Sequence, residues 1–305
     1  VAVSPDDAYS VAVAPQDYDN LDVLYSAFSK DAIDNIFSNE CYRYEDVEFV
    51  SKYAPGSTPE RFHIVKSLPF IEYFVEFSRA FEGRSIFELG IAEGGSTALL
   101  ALVAKPHKLI AVDLEPNRIV ALDLFAEQRG LGDTMKMFYS VDQSDAGALR
   151  RIAAEEFGDA GIDWVLDDAS HQLAPTRASF DALFPYLNPG GVFTIEDWNA
   201  DIAFRDALFN NLQNPETPEA LAAAAEFREA MAANKGKPTA PPKASLSQLA
   251  VELMLACASS NHIVSEVAVN EHWIMARRGP AEVDPEGFHL ADLSRDYFGF
   301  VPATA

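Results

Sequence analysis

Sulfur and positive charge are both scarce in this chain. Only Cys41 and Cys257 are cysteine among 305 residues, far apart and without the spacing of a zinc knuckle or a disulfide framework. Lysine and arginine number 23 against 47 aspartates and glutamates, and the resulting net charge of -24 repels nucleic-acid phosphates and anionic membrane surfaces. Long apolar runs are missing too. None reaches the roughly 18 residues of a transmembrane helix, and the opening Val1-Ala2-Val3-Ser4-Pro5-Asp6-Asp7 lacks the basic head of a signal peptide. These absences argue against a nucleic-acid or membrane partner and for a cytoplasmic protein.

What is present is apolar material, 49% of the residues, enough for one large domain with appendages. Residues 1 to 20, rich in Pro, Asp and Ala, read as a flexible arm. From 21 to 81 apolar residues recur at helical spacing (Ile64, Leu68, Ile71, Phe74, Val75, Phe77), interrupted by the loop Tyr53 to Pro59, which predicts an N-terminal helical layer. The pattern then changes to short apolar runs separated by helical segments, the signature of βαβ units. The runs are Ser85 to Leu89, Lys108 to Asp113, Met135 to Val141, Ile162 to Leu166 and Gly191 to Ile195, and they predict a doubly wound, mostly parallel α/β sheet. His262 to Val269 and His272 to Arg278, joined at Asn270-Glu271, predict an antiparallel hairpin at one end of it.

The catalytic domain would thus run from 82 to 280, with a helical lid insertion at 200 to 259. That insertion contains a helix from Pro218 to Asn234, a Pro-rich and Lys-rich loop at 235 to 243, and an apolar helix from Leu246 to Cys257. The tail from 281 to 305 carries Phe288, Leu290, Tyr297, Phe298 and Phe300, too apolar to float free; with the helical layer it could serve a homo-oligomer interface.

Two regions carry chemistry. Glu88-Leu89-Gly90-Ile91-Ala92-Glu93-Gly94-Gly95-Ser96-Thr97 follows the first parallel strand and opens a helix, so its small residues can bring backbone N-H groups close to a ligand. Glu88 and Glu93 would repel a pyrophosphate but suit a ligand bearing an amino group and a positive centre, which favours S-adenosylmethionine over NAD. Asp113, 23 residues after Gly90, ends the second strand where a carboxylate can accept both ribose hydroxyls, and Asp142 and Gln143 follow the third strand toward the adenine or ribose.

The second region is Asp167-Asp168-Ala169-Ser170-His171 together with Glu196-Asp197-Trp198. Asp168 and Glu196 lie 28 residues apart, about one βαβ repeat, so their strands can be neighbours. Asp168, Glu196 and Asp197 then offer hard oxygen ligands to Mg, with Mn or Ca as alternatives. His171 stands three residues past Asp168, placed to take a proton from an acceptor hydroxyl. Asp167 competes with Asp168 for the ligand role, because strand alternation sends adjacent side chains in opposite directions; Asp168 is preferred, and Asp167 then reads as structural. An exposed loop with helix caps is the competing reading for each residue taken alone.

On these motifs the chain resembles the class I S-adenosylmethionine methyltransferases, in particular the metal-dependent branch that includes macrolide-sugar O-methyltransferases and cephalosporin-hydroxylase-like proteins. The resemblance covers residues 80 to 200 and the closing hairpin. It implies a Rossmann-like methyltransferase fold, a methionine site on the glycine loop (Glu88, Gly90, Ala92, Glu93, Gly94, Gly95, Ser96), Mg on Asp168, Glu196 and Asp197, and His171 as base. The expected activity is O-methylation of a hydroxyl of a small natural product, with a sugar moiety as a candidate acceptor. The alternatives are a catechol-type phenolic O-methyltransferase and a non-catalytic cofactor-binding protein.

Overall fold

The computed structural model describes residues 39 to 200, 202 and 245 to 295, and the elements below all belong to one compact unit. A small sheet comes first: β1 (Cys41–Tyr44), β2 (Val47–Ser51) and β3 (Arg61–Ile64), with β1 antiparallel and β3 parallel to β2. The helical layer expected over 21 to 81 is therefore limited, within the described residues, to α1 (Leu68–Arg79). The physical reason is a coincidence of spacing. Ile64 continues the helical series of Leu68 and Ile71, but it alternates with Phe62 on a strand whose apolar face is buried.

The main sheet contains β4 (Ser85–Leu89), β5 (Lys108–Asp113), β6 (Met135–Tyr139), β7 (Ile162–Asp167) and β8 (Leu187–Glu196), all parallel, then β9 (Val264–Val269) and β10 (Trp273–Arg278). Their order is β6-β5-β4-β7-β8-β10-β9, with β10 antiparallel to both β8 and β9. The doubly wound architecture and the edge hairpin are as the sequence predicts. The hairpin turn is closed by Asn270, whose Oδ1 accepts from the backbone N-H groups of His272 and Trp273.

Helices α1, α2 (Gly95–Val103) and α3 (Val120–Gln128) share one apolar cluster with the small sheet, including Phe62, Phe74, Leu99 and Phe125. Helices α4 (Ala146–Phe157), α5 (Leu173–Leu183) and α6 (Ser247–Ser259) share the other, including Leu149, Phe180 and Leu253. The apolar helix expected inside the lid insertion is thus a core helix, because Leu249, Leu253 and Ala256 are fully buried on the sheet. Phe288 and Leu290 of the tail pack into the same cluster. The expected arm at 1 to 20, the helix at 218 to 234, the loop at 235 to 243 and Tyr297, Phe298 and Phe300 lie outside the described residues. Among those described, no helix is long and apolar enough to cross a membrane.

Strand order fixes where a ligand can sit. Successive units run from β4 outward through β5 to β6, then return to β7 on the other side of β4. The carboxyl ends of β4 and β7 diverge at that reversal and leave a crevice.

Candidate active site

The crevice is a cleft of about 410 Å³. Its walls come from all four strand ends: Gly90 and Ala92 after β4, Asp113 and Leu114 after β5, Asp142 and Gln143 after β6, Asp168 and Ser170 after β7. A smaller recess beside it is lined by His63, Lys66, Glu93, Gly95, Ser96 and Asp168.

Asp113 holds the glycine loop itself. Its Oδ2 accepts from the backbone N-H of Ile91 at 2.7 Å and of Ala92 at 3.0 Å, and its Oδ1 accepts from Glu115 N-H at 2.8 Å. The loop therefore presents itself to the cleft on a carboxylate anchor. Two of its glycines are demanded by chain packing. A Cβ on Gly90, whose φ is +95°, would come within 2.1 Å of the Asp168 carbonyl oxygen, and one on Gly95 within 2.4 Å of the His63 carbonyl oxygen. Gly94 similarly has room for no side chain against Leu122. Ala92 keeps a left-handed φ of 46° without glycine's freedom.

Glu88 is fully buried within β4 rather than open to the cleft, and burial pushes it up to about 7 while the Ser96 and Thr97 hydroxyls pull it part of the way back. The two hydroxyls stand close enough to temper the shift, but neither carboxyl oxygen completes a well-aligned hydrogen bond. Gln143, expected on the adenine or ribose, is also buried and turned inward. Its Nε2 donates to both oxygens of Asp167 at 2.7 Å, and its Oε1 accepts from Ser170 N-H at 3.3 Å. Asp167 accepts from the Ser179 hydroxyl as well, and burial raises it to about 6. This pair locks the β7 loop and leaves the neighbouring Asp168 half-exposed. Asp142 is exposed at the cleft, tied to the Ser144 N-H and hydroxyl at 2.7 Å.

The β7 and β8 ends meet as their pairing requires, with Asp167 opposite Ile195. Asp168 Oδ1 lies 3.8 Å from His171 Nε2, which lies 4.0 Å from Asp197 Oδ2, and one ligand atom from each fits within 4.8 Å of the others. His171 and Asp197 each hold a φ of 52°. A left-handed backbone costs a non-glycine residue roughly 1 kcal/mol, and such strain gathers where a site must aim side chains. Asp197 is pinned through its N-H to the His272 carbonyl at 3.1 Å.

Glu196 does not join this trio. The Nζ of Lys66 donates to Glu196 Oε1 and, at 2.8 Å, to Asp168 Oδ2, while the Trp273 indole N-H donates to Glu196 Oε2 at 3.1 Å. Lys66 is buried; burial opposes its charge, but Asp168 and Glu196 together hold it well above the ordinary lysine range. Sequence reasoning missed this residue. Its one signal is a lone lysine set between the apolar Val65 and the helix start Ser67-Leu68-Pro69-Phe70. Leu114, 66% exposed on the cleft rim, was missed too.

The donor set suits a hard divalent cation. Asp168 Oδ1, partly buried, and Asp197 Oδ2, exposed, stand on either side of His171, whereas burial and the neighbouring Asp168 push the Glu196 carboxyl above the usual carboxylate range.

The family model described as "Methyltransferase domain" matches residues 87 to 198. The match takes in β4 to β8, a little over a third of the chain. The chain is 36% identical over 96 residues to demethylmacrocin O-methyltransferase of Streptomyces fradiae, covering 26% of this chain and 24% of that protein. It is 52% identical over 60 residues to mycinamicin VI 2''-O-methyltransferase of Micromonospora griseorubida, covering 19% and 14%. The chain thus spans a quarter or less of the length of these curated relatives. Among solved structures, a methyltransferase from the mycinamycin biosynthetic pathway in complex with Mg, SAH and mycinamycin VI superposes with a TM-score of 0.43 at 21% identity, over 69% of this chain and 49% of that one.

Proposed function

We propose that this methyltransferase domain transfers the methyl group of S-adenosylmethionine to a hydroxyl of a small polyhydroxylated acceptor, the sugar of a natural product being the class that the relatives' names suggest. The observation that carries this reading is the double position of Asp168, which lines the cleft at the sheet's reversal point and also stands in the cluster with His171 and Asp197. Donor and acceptor sites therefore share a wall.

The nucleoside would lie along the cleft, with Leu114 offering an apolar face to the adenine and Asp142 and the free side of Asp113 facing the ribose. Glu93, half-buried in the adjoining recess, faces the amino-acid end of the cofactor. His171 acts as the base: its imidazole takes the acceptor's hydroxyl proton as that oxygen bonds to the methyl carbon and the carbon-sulfur bond breaks, leaving a neutral thioether. Asp168 and Asp197 would hold a divalent cation, Mg by the chemistry of their oxygens, and such a cation would acidify the acceptor hydroxyl.

The test is transfer of labelled methyl from S-adenosylmethionine to a panel of glycosylated and polyhydroxylated acceptors, with and without EDTA. His171→Ala should lower transfer roughly 10²- to 10⁴-fold while S-adenosylhomocysteine still binds. Binding of that product with no transfer to any acceptor would favour the non-catalytic alternative, and preference for simple catechols the phenolic one.

A further inference from the structure

We propose that Lys66 is a resident cation of this site: its ammonium fills the position between Asp168 and Glu196, removes Glu196 from any divalent cation's shell, and leaves Asp168 and Asp197 to bind the ion. Only the last clause rests on the metal reading above. The connection from β3 to α1 is three residues long, and it drops Lys66 under the ends of β7 and β8. There the side chain is 2% exposed. Two of its three N-H groups go to the two carboxylates. The ring faces of Phe70 and Phe74, with centroids 5.0 and 5.4 Å from Nζ, close over the remainder.

Glu196 is engaged on its other oxygen by Trp273 and is 2% exposed. No open direction is left from which an ion could reach it while the lysine stays. A buried charge deprived of its partner is strongly unfavourable, so Lys66 and Glu196 hold each other in place. The aromatic packing of Phe70 against Trp273 fixes both walls, with ring centroids 5.8 Å apart. Lys66 thus acts as a positioning residue, aiming Asp168 and supplying a positive charge to the buried side of the carboxyl cluster.

The experiment is titration of the full chain with Mn²⁺, read by loss of the free-ion paramagnetic resonance signal, with thermal unfolding of each variant alongside. Glu196→Gln should keep Mn²⁺ affinity within about threefold of the wild type, whereas Asp197→Asn should lose about tenfold or more. Lys66→Met should gain about tenfold, because the gap between Asp168 and Glu196 then attracts the ion, and the double change Lys66→Met with Glu196→Gln should lose that gain. If Lys66→Met fails to fold, the double variant, which has no stranded glutamate, and Glu196→Gln alone still decide the matter. The proposal is overturned if Glu196→Gln weakens binding as much as Asp197→Asn, or if Lys66→Met leaves affinity unchanged. A wild type that binds no Mn²⁺ beside a Lys66→Met that does would sink the metal reading and keep this one; no binding by either would contradict both.

Discussion

Replacing Glu88 by glutamine gives the sharpest energetic test of the site's architecture. The carboxyl is fully buried in β4 and completes no well-aligned hydrogen bond, and burial lifts it from 4.5 to about 7. Between those values the folded chain keeps a proton that the unfolded chain has released, so the wild type loses stability as pH rises through the window and levels off above it. The loss worked from that shift is about 3 kcal/mol at pH 8 and about half as much at pH 5.5. Glutamine carries no such slope. Its unpartnered amide costs about 1–3 kcal/mol, but equally at both pH values, so the sign at one pH is not diagnostic. The expected outcome is that Glu88→Gln gains about 2 kcal/mol on the wild type between pH 5.5 and 8, read by urea unfolding with tryptophan fluorescence. Parallel stability curves for the two proteins would refute the reasoning.

Three further outcomes follow from the geometry. Asp113→Ala removes a charged acceptor from the N-H groups of Ile91 and Ala92, bonds worth about 1.5–3 kcal/mol each, and should weaken S-adenosylhomocysteine binding roughly tenfold or more by calorimetry. Gly95→Ala drives a methyl group into the His63 carbonyl and should cost about 1–3 kcal/mol in denaturant unfolding. Asp167→Asn puts an amide opposite the Gln143 amide, so it should lower the melting temperature by the equivalent of about 1–3 kcal/mol.

The five parallel strands and the hairpin were legible because each is a short apolar run bounded by turn residues, and period alone separates them from the helices between. The meeting of Asp168, His171 and Asp197 was legible because sheet register carries adjacent strand ends together. The small sheet was not, since Phe62 and Ile64 fall into step with the helical series that begins at Leu68. Gln143 and Asp113 look like ligand contacts in sequence because both follow strand ends. Only side-chain direction tells that one locks Asp167 and that the other, besides lining the cleft, anchors the glycine loop. Lys66 was illegible for a related reason: its partners lie 102 and 130 residues away, and a single lysine beside a helix start ordinarily extends its charge into water.

The central claim is that the cleft at the β4 and β7 ends takes S-adenosylmethionine. Calorimetric titration of the full chain with S-adenosylhomocysteine tests it most directly. Saturable binding at one site per chain, weakened by Asp113→Ala and retained in His171→Ala, is expected; no heat of binding, or binding of NAD in its place, would rule the cleft out as the cofactor site.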